Sequence, residues 1–102
     1  MNIGKMMKQV QQAQAKMAQV QEQLKEETVE ASAGGGMVKV VMSGDLTLRS
    51  IKVDPSAVDP EDVELLEDMI SAAVNEALRA AQEVAASRMA AVTGGIDIPG
   101  LT

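Results

Sequence analysis

The chain has 102 residues, which is the usual size of one domain, and its formal net charge at pH 7 is −6. It contains no cysteine and no histidine, which excludes disulfides, thiolate catalysis and the commonest general base and metal ligand. We therefore expect a non-enzymatic protein that needs no cofactor, metal or small-molecule substrate. Phe, Trp and Tyr are also absent, so the core is restricted to aliphatic and methionine side chains, which bury less area per residue.

The first predicted element is a long helix over residues 3–27. Apolar residues recur in it with alternating steps of three and four, which is the a/d pattern of a coiled-coil seam. Most of the other positions hold Lys, Gln, Glu or Ala, which are good helix formers. The predicted seam consists of Ile3, Met6, Val10, Ala13, Met17, Val20 and Leu24.

Three short strands follow, and we expect them to form one antiparallel sheet. Glycines at 34–36 predict the first turn, and Gly44 with Asp45 predicts the second. The apolar phase of the third strand shifts near Arg49, which indicates a bulge or a strong twist. The strands are predicted over residues 28–33, 37–43 and 46–53.

A second long helix is predicted over residues 60–92, followed by a tail over 93–102. Asp54-Pro55 and Asp59-Pro60 are both cap-then-proline signals that precede it. The helix carries two adjacent apolar stripes, which indicate two packing partners. Helices of about 37 and 50 Å, at 1.5 Å per residue, are longer than three strands can cover. We therefore predict a homodimer with C2 symmetry, in which the second helix contributes Leu66, Ile70, Val74, Leu78, Val84 and Met89 to the interface.

These elements predict one α+β domain over residues 1–102, in the order long helix, three-stranded antiparallel sheet, long helix. No stretch approaches the roughly 20 apolar residues of a membrane-spanning helix, and no apolar run follows the N-terminal lysines as in a signal peptide. We expect a cytoplasmic protein without a membrane partner.

Charge is unevenly distributed along the acidic chain, and the first helix concentrates the basic part. Between residues 1 and 21 every charged side chain is a lysine, whereas every charged side chain between 54 and 68 is acidic. On a wheel of 100° per residue, the lysines share one face with glutamines, away from the apolar seam. Lysine neutralises phosphates and glutamine amides donate to phosphate oxygens. The candidate DNA-binding face consists of Lys5, Lys8, Gln12, Lys16, Gln19 and Gln23.

An ordinary solvated helix face is the competing interpretation of this pattern, and the residues alone leave the two nearly even. Lys39, Arg49 and Lys52 on the predicted hairpin extend the basic surface or, equally well, serve as charges that discourage edge pairing. The chain has no aromatic side chain on which bases stack, so single-strand binding on a stacking platform is not expected.

Taken in order, several segments resemble the YbaB/EbfC family of bacterial nucleoid-associated DNA-binding proteins, and the resemblance covers essentially the whole chain. No single segment is diagnostic, but the ordered set is fairly specific. Where relatives often carry several basic residues after Asn75-Glu76-Ala77, this chain has Arg79 alone. The matching segments are Met7-Lys8-Gln9, Gly36-Met37-Val38-Lys39-Val40, Gly44, Ile51-Lys52-Val53-Asp54-Pro55-Ser56, Leu66-Glu67-Asp68-Met69-Ile70, Asn75-Glu76-Ala77, Gly94-Gly95-Ile96 and Pro99-Gly100.

The resemblance implies a tweezer-like homodimer, with a sheet-based body and projecting helical arms. It also implies binding of double-stranded DNA with low sequence specificity, a change in DNA conformation, an influence on gene expression, and a place in the nucleoid. It does not imply catalysis. The alternative hypothesis is a protein-interaction adaptor whose helical arms clasp another protein.

Overall fold

In the computed structural model residues 2–94 are described, with only the backbone described at 93 and 94. Most of the predicted tail, 95–102, therefore lies outside the described residues. The order of elements confirms the predicted helix, sheet and helix. The elements are α1 (Ile3–Glu26), β1 (Thr28–Ala33), β2 (Val38–Ser43), β3 (Leu48–Val53), a short 3-10 helix (Pro55–Ala57) and α2 (Val63–Gly94).

The sheet has the strand order β1-β2-β3, and both neighbouring pairs are antiparallel. The β1–β2 turn contains three glycines with φ of 63°, 67° and 92°. Positive φ is accessible to glycine at little cost, so the run at 34–36 allows the two strands to pair over their full length, from Thr28 opposite Ser43 to Ala33 opposite Val38.

The second hairpin begins its return strand later than predicted, at Leu48 instead of 46. Leu46 adopts φ of 66°, a left-handed conformation in which it cannot continue a strand. The buried Ser43 hydroxyl holds this turn through hydrogen bonds to Asp45 and to the Thr47 carbonyl oxygen. The predicted bulge is confirmed: Val41 pairs with Ser50 and Met42 pairs with Leu48, so Arg49 is the extra residue.

A line of alanines on α2 packs against β1 and β2. Ala73, Ala77 and Ala81 are fully buried and follow one another at intervals of one helical turn. Their small side chains let the helix approach Val38 and Val40, which are also fully buried. The centre of the core is therefore a close helix–sheet contact made without aromatic residues.

The helix α2 begins at Val63, three residues after the predicted start, because Asp62 is its capping residue. The Asp62 carboxylate accepts a hydrogen bond from the Leu65 N–H at 3.2 Å. Asp59 instead accepts from the Glu61 N–H at 2.9 Å within a preceding turn. Asp54 caps the 3-10 helix by accepting from the Ser56 N–H. The acidic segment thus supplies local caps.

The two apolar stripes of α2 find two partners within the same chain. Apolar residues of both stripes, among them Ile70, Val74 and Ala77, pack against the sheet, whereas Ala85 and Met89 line a groove together with Leu24 of α1. Two stripes on this helix therefore do not by themselves require a second copy. A dimer interface would instead use surfaces that the described chain leaves exposed.

Candidate nucleic-acid interface

The helix α1 extends from the body as an arm. Its predicted apolar seam is exposed at the N-terminal end, where Ile3 is 70 % exposed, and becomes buried only at Leu24, which is 4 % exposed. Met6, Val10 and Met17 also remain exposed. The described chain measures 71 × 25 × 16 Å. Among residues 2–94 only the C-terminal part of the seam is buried, so the arm carries an exposed apolar stripe.

The root of the arm is held by several elements at once. Glu27, the single residue between α1 and β1, donates its N–H to the Gln23 carbonyl at 3.1 Å and accepts from the Gly44 N–H at 2.8 Å. A β-carbon on Gly44 would lie 2.8 Å from a methyl of Leu24 and 3.0 Å from its carbonyl oxygen. Glycine is therefore required for this close approach. Arg49 adds a hydrogen bond to the Lys25 carbonyl at 3.2 Å.

The Lys/Gln face of α1 is exposed at all six of its positions. Lys5, Lys8 and Lys16 take part in no ion pair within residues 2–94. Asn2 caps the helix by accepting from the Lys5 N–H at 3.2 Å. Lys5 lies in the first turn, where the helix dipole disfavours a cation. The helix dipole therefore does not favour a lysine at this position.

Lys39 and Lys52 lie directly opposite each other on β2 and β3. They occupy the sheet face that points away from α2, because Val38 and Val40 point towards it and side chains alternate along a strand. Like charges placed opposite one another are unfavourable. Both lysines are exposed, and neither takes part in an ion pair in the described part of the chain.

The three arginines differ from these lysines because each guanidinium already has a partner in the chain. Arg79 bridges Glu76 and Glu83 along α2, and these two carboxylates raise the pKa of Arg79. Arg88 hydrogen-bonds Glu27, which lowers the pKa of that carboxyl and raises the pKa of the guanidinium. Arg49, which was predicted as a DNA-binding residue from its charge, is exposed and donates one hydrogen bond to the carbonyl at the C-terminal end of α1.

The predicted basic residues form two separate groups. Lys5 lies roughly 33 Å along the helix axis from the arm's root, at 1.5 Å per residue, whereas Lys39 and Lys52 belong to the body.

The predicted interface residues of α2 are half-buried, four of them against the chain's own core. Those four are Leu66, Ile70, Val74 and Leu78, and the other two are Val84 and Met89.

An apolar surface on β3 was missed by the sequence analysis. Ile51 faces the same side as Val40 but remains 41 % exposed, since α2 packs across β1 and β2. Leu48, opposite Met42, is exposed in the same way. The apolar pattern of β3 does not show which element covers these side chains, and only the position of α2 shows that the described chain leaves them exposed.

Within residues 2–94 no group of three or more Asp, Glu, His or Cys side chains has a geometry that would hold a metal ion. None of the described helices combines the length and apolar character needed to cross a membrane.

Comparison with known proteins identifies the family. A model of the YbaB/EbfC DNA-binding family matches residues 1–96. The chain belongs to the YbaB/EbfC DNA-binding family. The fold agrees with this: a crystal structure of an uncharacterized protein from Helicobacter pylori matches with a TM-score of 0.74 and 25 % identity, covering 81 % of this chain and 87 % of that one.

Relatives within the family are similar over nearly their whole length. A nucleoid-associated protein of Moorella thermoacetica is 60 % identical over 99 residues, covering 97 % of this chain and 95 % of its own. A nucleoid-associated protein of Thermoanaerobacter pseudethanolicus is 56 % identical over 100 residues, covering 98 % and 90 %. Membership in this family indicates a DNA-binding, nucleoid-associated protein, not an enzyme.

Proposed function

We propose that this chain is a non-enzymatic protein of the cytoplasmic nucleoid that binds double-stranded DNA as a homodimer through the Lys/Gln face of α1. The observation that carries the proposal is the division of the basic residues. The arginines are engaged within the chain, whereas five exposed lysines have no ion pair within residues 2–94, although the protein is acidic overall. These five are Lys5, Lys8, Lys16, Lys39 and Lys52.

The chemistry of this surface favours low sequence specificity. Lysine and glutamine on an exposed helix face bind phosphate oxygens, and such contacts position a protein on the duplex without reading its sequence. The seven acidic residues between 54 and 68 repel the duplex from the start of α2, which leaves the arm as the favourable docking side. We expect an arm that binds along the phosphate backbone to change the conformation of the DNA, and this change to influence gene expression.

Binding to random duplexes tests this proposal. We expect two unrelated 30-base-pair duplexes of equal length to bind with dissociation constants within about threefold of each other, because nonspecific affinity comes from the phosphates. A change in energy transfer between dyes at the duplex ends should accompany binding and report bending. Absence of binding to either duplex at 50 mM salt would contradict the proposed function.

The exposed seam of α1 supports the homodimer. A row of apolar side chains with a/d spacing is stable in water when a second helix covers it, and the apolar side chains of β3 add further uncovered area. Two copies related by a twofold axis bury both surfaces with a single type of interface. The half-buried residues of α2, from Leu66 to Met89, lie at the margin of the core and contribute where the partner approaches.

Sedimentation equilibrium at micromolar concentration should give twice the 10.7 kDa mass of the chain. The variant Met6→Gln/Val10→Gln should shift the protein towards monomer, because two polar amides would then lie in the seam. Gln12→Asn, on the opposite face, is the control and should remain dimeric. A folded wild-type monomer would overturn the dimer and favour the adaptor hypothesis, with the seam binding a different protein.

A further inference from the structure

The contact between Glu27 and Arg88 connects residues 61 positions apart and joins the root of α1 to α2. Arg88 donates from Nε to one carboxylate oxygen of Glu27 at 3.1 Å and from Nη2 to the other. Such a two-point contact fixes the relative orientation of both groups, which a single contact does not. No other ion pair in residues 2–94 connects two different elements of the fold.

Glu27 is also the point where the arm meets the body. Its backbone N–H belongs to the last turn of α1, and its carbonyl accepts from Gly44 in the β2–β3 turn. Its carboxylate is held by α2. One residue therefore contacts three elements, and the next residue, Thr28, already pairs in the sheet. Rotation of the arm relative to the body therefore changes the backbone or side-chain contacts of Glu27.

Small rotations at this point have large consequences at the tip. The helix α1 is about 36 Å long, so a rotation of about 10° moves its N-terminus by roughly 6 Å. A lysine displaced by this distance loses contact with the phosphate it neutralises. The direction of the arm therefore determines which phosphates Lys5 and Lys8 reach.

We propose that Glu27 and Arg88 form a positioning pair that fixes the direction of the α1 arm, and that Arg88 supports DNA binding through this geometry without contacting phosphate. The inference rests on the proposed DNA-binding role of α1. It assigns a role to an acidic residue, Glu27, which by charge alone would only oppose binding.

The variant Glu27→Gln separates the two explanations because they predict opposite signs. It removes a negative charge, so electrostatics alone predicts tighter DNA binding. Loss of the positioning pair predicts weaker binding, by about threefold to tenfold, which lies in the lower part of the range of coupling for side chains in contact. Arg88→Gln should weaken binding similarly. The exchange Glu27→Arg/Arg88→Glu keeps the net charge and should restore affinity to within about twofold of wild type.

Arm direction is measured in the same variants without DNA. The chain lacks cysteine, so spin labels can be attached at Gln9→Cys on α1 and Ser71→Cys on α2 alone. Labelled chains are diluted in unlabelled protein, so that the distance between the two labels is measured within one chain. Glu27→Gln and Arg88→Gln should shift or broaden the distance distribution, and the exchange should restore it. Glu76→Gln is the matched control: it breaks an exposed ion pair within α2 and should leave the distribution unchanged.

Thermal unfolding accompanies each variant. The variants replace Arg88 and Glu27, whose side chains are 50 % and 34 % exposed, so we expect them to fold with nearly unchanged melting temperatures. If the pair only stabilised the fold, its loss would not alter the distance between the spin labels. Unchanged distances, or a Glu27→Gln variant that binds DNA as tightly as wild type, would overturn the proposal. If wild type binds no DNA, the proposed function fails while the label distances still decide whether the pair fixes the arm.

Discussion

Changing Lys5, Lys8 and Lys16 together to Gln should weaken binding to every duplex by about 100-fold or more at 50 mM salt, because six phosphate contacts per dimer are lost. The six arm lysines of a dimer contribute at most about −5 to the slope of log K against log salt, and the variant should lose this contribution. Melting temperature should not fall, since these side chains are exposed and unpaired among the described residues. Fluorescence anisotropy across a salt series measures both quantities.

The matched comparison is Lys39→Gln/Lys52→Gln, which removes two charges from the body of each protomer and leaves the arm intact. We expect a smaller loss of affinity, with a correspondingly smaller change of slope. If the sheet variant abolishes binding while the arm variant retains it, the DNA surface is the exposed sheet face and the assignment to α1 is wrong. Arg49 is excluded from this comparison because its loss would also release the Lys25 carbonyl.

The largest effect on stability is expected for Ala77→Leu, which should lower the free energy of unfolding by about 1–3 kcal/mol. Ala77 is fully buried between α2 and the sheet. Three additional carbon atoms there would force the helix away from Val38 and Val40 or push side chains out of their preferred rotamers. Urea unfolding followed by circular dichroism at fixed protein concentration measures the change.

Ala72→Leu provides the control, because Ala72 lies on the same helix but is exposed. Leucine and alanine have similar helix propensities, so this variant should unfold within about 0.5 kcal/mol of wild type. Equal unfolding curves for the two variants would show that α2 does not pack closely on the sheet.

Part of the candidate site was accessible from the sequence. The spacing of Lys5, Lys8 and Lys16 places them on one face of any helix, and this follows from 100° per residue without knowledge of the tertiary structure. The exposure of this face in the described chain agrees with the pattern. The role of Arg49 was not accessible in this way, because its partner is a backbone carbonyl of another element. Nor was that of Arg88, which meets a carboxylate 61 positions away.

The sequence by itself determined the order and type of the elements, because heptad spacing, alternation and glycine turns are local properties of the chain. It also determined the bulge at Arg49, since the phase of apolar residues shifts there. Only the tertiary structure decided which apolar residues of α2 pack on the sheet and which face α1, and that Ile51 stays 41 % exposed in the described chain. The reason is physical: periodicity records which side chains avoid water, whereas the element that covers them depends on contacts between segments far apart in the chain.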